Sequence, residues 1–294
     1  MVADQQIFNI IQIPNLSILN MSQLTKSILF WIISFLLMGS LAVYQRLTGP
    51  THPTRGSVTL AGETIKFKLL RSHETDTDAP VKIEVTNPGV TGNVIFKRLK
   101  VEEDWVTIAM VREGDELVAY LPAQPPAGKL EYFVELSNQG QTVQLVKDAV
   151  VIRYKGRVPP FILIPHIFFM FFAMLFSLRT GIEAFVKGPY LLKYTILTTI
   201  FLIIGGGMLG PVVQKYAFGA YWTGWPFGHD LTDNKTLIAL LGWVIAWNRI
   251  RKNPANRGWA IAAAIILIAV YLIPHSVLGS ELDYGNGQVI TGKR

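Results

Sequence analysis

Five apolar segments constrain the fold of this chain more than any other feature of its sequence. A helix that spans a bilayer needs about 20 predominantly apolar residues, and these segments approach that length once flanking Tyr, Trp and Gly residues are included. They occupy residues 28–43, 161–178, 194–213, 236–247 and 259–273. The pattern predicts a polytopic membrane protein with five transmembrane helices, of which the fourth has the weakest signal.

The composition also favours a membrane protein. Charged residues make up 16% of the 294 residues, against about 25% in a typical soluble domain. The formal charge is +7, but Lys and Arg concentrate in the cytoplasmic loops of membrane proteins. No basic stripe carries interleaved aromatic residues, so we expect no nucleic-acid partner. The absence of cysteine excludes disulfides, thiolate metal sites, iron–sulfur clusters, thiol nucleophiles and covalently attached c-type haem.

The first apolar segment is predicted to be an uncleaved transmembrane anchor, residues 28–44. A leader of 27 residues precedes it, and the sequence Tyr44-Gln45-Arg46 follows it. A signal-peptide cleavage site requires small residues at that point. Met21 offers a more conventional start, so residues 1–20 are interpreted either as a mis-annotated leader or as a weakly amphipathic stretch.

Residues 45–158 predict a separate domain built from β-strands. Polar and apolar residues alternate in 65–69, 81–85 and part of 130–135, as they do in half-buried strands. Turn sequences such as Asn87-Pro88-Gly89 separate these runs. Roughly seven to nine short strands spaced by turns are typical of an immunoglobulin-like sandwich. The predicted fold is therefore a membrane α-helical protein with an inserted all-β domain, in which we find no catalytic constellation.

The distribution of Lys and Arg predicts the orientation in the membrane, because short cytoplasmic loops are enriched in these residues. The loop between segments four and five is basic and lacks an acidic residue: it holds Arg249, Arg251, Lys252 and Arg257. Residues 45–158 and the tail 281–294 are then extracytoplasmic, and residues 159–280 form a four-helix membrane domain. We expect a bacterial inner membrane, with the lipid bilayer and other membrane or extracytoplasmic proteins as partners.

A repeated tetrapeptide places two histidines near the outer face. Leu163-Ile164-Pro165-His166 opens the second apolar segment, and Leu272-Ile273-Pro274-His275 closes the fifth. At about 1.5 Å per residue, His166 falls roughly 9 Å and His275 roughly 6 Å below that face. Ionisable residues inside a membrane are rare and are usually functional. The repeat predicts a shared site, with two snorkelling residues at helix ends as the alternative.

The loop between segments three and four is dense in aromatic residues. It contains Tyr221, Trp222 and Trp225, spaced by glycines such as Gly224. One interpretation is an aromatic belt at the membrane interface. The other is a platform for a planar ligand, because a belt does not require the glycines.

Part of this sequence resembles a known family of membrane proteins. Gly219-Ala220-Tyr221-Trp222 with Trp225, followed by Leu241-Gly242-Trp243, is similar to the tryptophan-rich haem-binding segment of the cytochrome c maturation haem-handling proteins. The resemblance covers residues 160–280. In that family the segment lies in an external loop between two axial histidines. The resemblance therefore implies that His166 and His275 ligate haem b, with Tyr221, Trp222 and Trp225 beside the ring.

Three functional hypotheses remain open from the sequence. The first is non-covalent b-type haem binding at the outer face, for electron transfer or haem handling. The second is an accessory or scaffolding subunit whose β domain binds a partner while the helices anchor it. The third is a copper or zinc site formed by His166, His229 and His275.

Smaller features are interpreted structurally. The run Gly205-Gly206-Gly207 indicates close helix packing rather than a phosphate loop, since no Lys-Ser/Thr follows. Asp230 and Asp233 could cap the fourth helix; the position of Asp233 before Asn234-Lys235-Thr236 fits a cap, which is preferred to metal ligation. Glu183 is predicted to pair with Arg179 at a spacing of four residues.

Overall fold

The computed structural model of the protein describes residues 22–274 and 279–291. Most of the predicted leader, His275 and the last three residues of the tail lie outside the described residues. The helices are α1 (Gln23–Thr48), α2 (Pro160–Phe185), α3 (Leu191–Leu202), α4 (Gly210–Phe218), α5 (Leu231–Lys252) and α6 (Gly258–Leu272). A π-helical segment, Ile203–Leu209, joins α3 to α4. Leu191–Phe218 is thus one continuous helix, and the described residues contain the five helices that the sequence predicts.

Three of these helices are long and apolar enough to cross a membrane: α1, α2 and the continuous helix Leu191–Phe218. The apolar helix α6 is shorter, with 15 residues. The last turn of α5 is basic, as the predicted inner end of a helix should be. The prediction of membrane-type helices is therefore confirmed, while the spanning role of α5 and α6 stays a prediction.

Two helices, α1 and α5, begin at capping residues that precede their apolar segments. The hydroxyl of Ser22 accepts a hydrogen bond from the Thr25 N–H at 3.1 Å and caps α1. The carboxylate of Asp230 accepts one from the Thr232 N–H at 2.8 Å and caps α5. Of the two predicted candidates, Asp230 is thus the cap, and Asp233 lies inside the first turn.

The β domain consists of eleven strands within residues 54–155. They are β1 (Thr54–Leu60), β2 (Glu63–Leu69), β3 (Ser72–Glu74), β4 (Ala79–Glu84), β5 (Thr91–Arg98), β6 (Val106–Ala109), β7 (Val111–Glu113), β8 (Glu116–Leu121), β9 (Lys129–Asn138), β10 (Gln141–Gln144) and β11 (Val150–Lys155). The predicted alternation is confirmed in β2, β4 and β9, in which buried residues alternate with exposed or half-buried ones.

The strands form several sheets around one hydrophobic core. The largest has the order β3-β11-β9-β5-β6, with β10 also paired to β9. A second sheet has the order β4-β8-β7, and β1 pairs with β2. Side chains of both larger sheets, among them Leu121, Leu130 and Ile152, are fully buried in a common core. The predicted β domain is thus confirmed as a domain of several sheets.

The predicted tail forms a hairpin that packs on the β domain. Its strands are β12 (Ser280–Asp283) and β13 (Gln288–Thr291). The Leu282 N–H donates to the Ala127 carbonyl at 3.1 Å, and Glu281 accepts a hydrogen bond from Lys129 at 2.8 Å. Burial opposes ionisation of Glu281, but the bonds from Lys129 and Lys100 outweigh it and lower the pKa of its carboxyl group. The hairpin, which follows the last helix in the chain, is therefore held against the β domain, which precedes helix α2.

The β domain also contacts one end of the helices directly. The Gly156 N–H donates to the Ala217 carbonyl at 2.8 Å. The guanidinium of Arg153 stacks over the Phe218 ring at 3.7 Å and donates to the Ser280 carbonyl at 2.8 Å. Strand β11, the end of α4 and the hairpin thus meet at Arg153.

A buried ion pair lies at the opposite end of the helices. Arg179 donates to Glu183 at 2.6 Å, and both side chains are almost fully buried. The other carboxylate oxygen of Glu183 accepts the Tyr190 N–H at 2.8 Å. Aromatic rings surround the guanidinium, the closest being Tyr194 at 5.0 Å. The predicted pair is confirmed, but it is internal rather than on a solvated helix face.

Candidate functional site

A cavity of about 320 Å³ lies between the helices and extends to the contact with the β domain. Its apolar wall includes Met38, Met170, Phe171 and Met174. Its polar lining is formed by His166, Arg153, Gln214, Asp230 and Asp233. A mostly apolar cavity with a few convergent polar groups is the usual form of a ligand site.

His166 is oriented by a hydrogen bond to the π-helical segment. Its ring Nδ1 lies 3.0 Å from the Gly205 carbonyl oxygen, and a carbonyl can only accept, so Nδ1 carries the proton. In the neutral ring, Nε2 then has its lone pair available for a ligand. The same carbonyl accepts the Gly210 N–H five residues ahead. The π-helical turn therefore places the Gly205 carbonyl and fixes the tautomer of His166.

The glycines of the π-helical segment allow it to pack closely against α2 and α5. A Cβ atom on Gly205 would lie 3.0 Å from the Phe169 Cβ, and one on Gly206 would lie 2.7 Å from the Thr236 Cγ2. Both distances are shorter than ordinary van der Waals contact. The predicted close packing is thus found at Gly205 and Gly206, against α2 and α5.

Two carboxylates that line the cavity accept several protein hydrogen bonds. Asp233 Oδ2 accepts from the Thr223 N–H at 2.6 Å and from the Gln214 amide at 3.1 Å. Asp230 Oδ2 accepts from the Ser280 N–H and hydroxyl, each at 3.0 Å. These carboxylates hold the aromatic loop, α5 and the hairpin together.

The aromatic loop contributes one residue to the cavity. Trp222 lines it, and the Trp222 indole N–H donates to the Trp225 carbonyl at 3.0 Å. The side chains of Trp225 and Tyr221 are 66% and 59% exposed and do not line it. The structure therefore brings His166 and Trp222 to the same cavity, while Tyr221 and Trp225 face outward.

The second predicted histidine, His275, lies outside the described residues. The segment before it is held in place: Lys235 donates to the Ile273 carbonyl at 2.7 Å, and Gln45 donates to the Tyr271 carbonyl. Tyr271 lines the cavity. His229 is exposed on the aromatic loop, and its backbone N–H donates to the Thr291 hydroxyl at 3.0 Å.

The sequence interpretation did not single out the methionines or Gln214. His166, Met170 and Met174 are spaced by four residues on α2 and therefore lie on one face of that helix. This spacing was a visible signal for a shared face. In contrast, Met38 and Gln214 reach the cavity from other helices, and no local pattern marks them.

The described residues contain no group of three or more His, Asp or Glu side chains placed to hold a metal ion. No protein-family model matches this chain, and no curated protein matches it either.

Proposed function

We propose that this chain is an integral membrane protein that binds a metal ion or a metal-containing cofactor through His166, at the outer end of its helices. The observation that supports the proposal is the fixed tautomer of His166, whose Nδ1 bonds to the Gly205 carbonyl at 3.0 Å. Metal-ligating histidines typically use one ring nitrogen for the metal and the other for such an orienting bond. The ring also lines a cavity between the helices.

A b-type haem, for electron transfer or haem handling, is the occupant that the sequence resemblance implies. His166 as an axial ligand, Trp222 and the apolar wall suit a haem in kind. The volume of the cavity, about 320 Å³, does not suit a haem. Sites for drug-sized ligands begin at about 300 Å³, and a haem is a large cofactor. The geometry therefore favours a smaller occupant.

A copper ion fits the same cavity better. The sulfurs of three methionines, Met38, Met170 and Met174, belong to side chains that line the cavity together with His166. Thioether and imidazole ligands favour Cu(I) over harder metals. This donor set differs from the predicted one of His166, His229 and His275, of which His229 is exposed on the loop.

The accessory-subunit hypothesis also has support. Trp225 and Phe227 on the aromatic loop are 66% and 84% exposed, which suits contact with lipid or with a partner protein. This surface is compatible with a bound metal, so the two roles do not exclude each other.

We further propose that the β domain is an immunoglobulin-like sandwich on the extracytoplasmic side of a bacterial inner membrane. Two features support the immunoglobulin-like fold: the parallel pairing of β3 with β11 beside antiparallel strands, and the core that the sheets share. The basic residues of the α5–α6 connection support the extracytoplasmic location of the domain.

The orientation predicts which side of the membrane a thiol reagent reaches. Asp148→Cys in the β domain and Asn253→Cys after α5 replace exposed residues, and the chain has no cysteine of its own. In intact cells, a membrane-impermeant maleimide should label the cysteine at position 148 and not the one at 253. Labelling of position 253 before cell lysis would reverse the proposed topology.

The bound group itself is tested by analysis of the purified protein. Cells grown with added copper and haem precursor should yield protein with stoichiometric copper in elemental analysis and no Soret absorption band. A Soret band would assign haem instead. Protein that contains neither group, and that binds neither on addition, would contradict the proposal and leave the accessory-subunit role.

A further inference from the structure

A second cavity, a cleft of about 660 Å³, lies where the end of α1 meets the β domain. Its lining includes five basic residues and one acidic residue: Arg46, Lys68, Arg71, Arg153 and Lys155, with Glu74. Five basic side chains against one carboxylate leave a formal charge of +4, with His73 counted as neutral. We call this cavity the basic cleft.

The basic side chains of the cleft lack ion-pair partners within the described parts of the chain. None of its five basic side chains takes part in an ion pair there. A cleft lined by charges of one sign concentrates the field and raises the local concentration of counter-ions. Like charges also repel each other, so an anion in the cleft would relieve an unfavourable arrangement.

Arg153 provides an independent indication of a ligand. Its side chain is 8% exposed, and its Nε is buried without a hydrogen-bond partner among residues 22–274 and 279–291. A buried donor left without an acceptor is costly. Burial lowers the pKa of the guanidinium to about 10, opposed by Asp230 and Glu281, so Arg153 stays charged at neutral pH. An anionic oxygen from a ligand would complete its hydrogen bonding.

The chemistry of the lining suits phosphate groups. Arginines offer paired N–H donors, which match phosphate oxygens, and lysines add point charges. The hydroxyls of Thr51 and Ser72 also line the cleft. One phosphate monoester carries about −2 at most, which is half of the cleft's formal +4. The charge balance therefore favours two phosphate groups over one.

We propose that the basic cleft binds a ligand that carries two phosphate groups, either a soluble diphosphate or a lipid with two phosphates in its headgroup. Arg46 belongs to the last turn of α1, a helix long enough to cross a membrane, so lipid headgroups are within reach. The inference does not rest on the His166 site, although Arg153 and Phe218 line both cavities.

The test uses the full chain in phosphatidylcholine nanodiscs. Calorimetric titrations with inorganic pyrophosphate and with inorganic phosphate, at constant ionic strength, measure the soluble source. Native mass spectrometry of nanodiscs with added cardiolipin, a lipid with two phosphates, measures the lipid source. The cleft variant is Lys68→Gln/Lys155→Gln. The matched control, Lys66→Gln/Lys147→Gln, removes the same charge from exposed lysines outside the cleft.

We expect pyrophosphate to bind more tightly than phosphate, and the cleft variant to weaken it by about tenfold or more, since a hydrogen bond to a charged group is worth about that factor. The control should stay within about twofold. Retention of cardiolipin without pyrophosphate binding would assign the lipid source, and the reverse would assign the soluble one. Absence of both, or equal loss in cleft variant and control, would overturn the proposal.

Discussion

His166→Ala should abolish binding of the metal or cofactor while the protein remains folded. The ring supplies the ligand atom and, through Nδ1, the bond to the Gly205 carbonyl. Loss of a group that merely orients a ligand costs about 10–100-fold in metal affinity, so loss of the ligand itself should cost more. The measurements are the metal content and the absorption spectrum of the purified variant, with thermal unfolding as the check on the fold.

Two control variants make this result specific. His229→Ala removes an exposed imidazole and should leave the bound group unchanged, and equal loss in both variants would contradict the assignment. Met170→Leu removes a thioether from the cavity wall, while Met208→Leu removes one that is exposed. Copper binding should weaken only in Met170→Leu. If neither Met variant affects copper, the thioethers do not ligate it.

Glu183→Gln should destabilise the helical part by about 3–5 kcal/mol, the cost of leaving one partner of a buried ion pair without its counter-charge. Arg179 is 2% exposed, so water cannot replace the lost carboxylate. Glutamine keeps the side-chain size and an acceptor for the Tyr190 N–H. The measurement is the midpoint of unfolding by SDS in mixed micelles.

The comparison for this variant is a surface pair. Lys82 and Glu116 lie 3.0 Å apart with both side chains well exposed, so Glu116→Gln should change stability little. The double variant Arg179→Leu/Glu183→Leu should recover much of the loss, because it removes the charge together with its partner. If Glu183→Gln changes stability as little as Glu116→Gln, the prediction is wrong, and water or another group compensates the charge of Arg179.

The sequence predicted the elements whose signals are local. Period-two alternation located β2, β4 and β9 because each has one face in the core, and the apolar runs located all five helices. The sequence offered two candidate caps for α5 and did not identify the right one, because a cap depends on which carboxylate accepts an N–H of the first turn. Asp230 and Asp233 both precede the apolar part of α5, and only their hydrogen bonds distinguish them.

The sequence could not predict contacts between distant segments. In β11 the residues Ile152, Arg153 and Tyr154 are all buried, which breaks the alternation, because Phe218 and the hairpin cover Arg153. The three glycines indicated close packing correctly at two positions, but nothing in them distinguishes a π-helical turn from an α-helical one. His166 was identified because a histidine in an apolar segment is conspicuous, whereas methionines there are ordinary.

The hairpin β12–β13 has a consequence for the order of events during synthesis. Residues 279–291 leave the ribosome after every helix of the membrane domain, whereas the strands to which they bind are made before α2. Domains generally fold as units during synthesis, N-terminal ones first. The β domain can therefore be complete while the later helices are still being synthesised, and the Glu281–Lys129 contact forms only once residues 279–291 have been made. Until then Lys129 lacks this carboxylate partner.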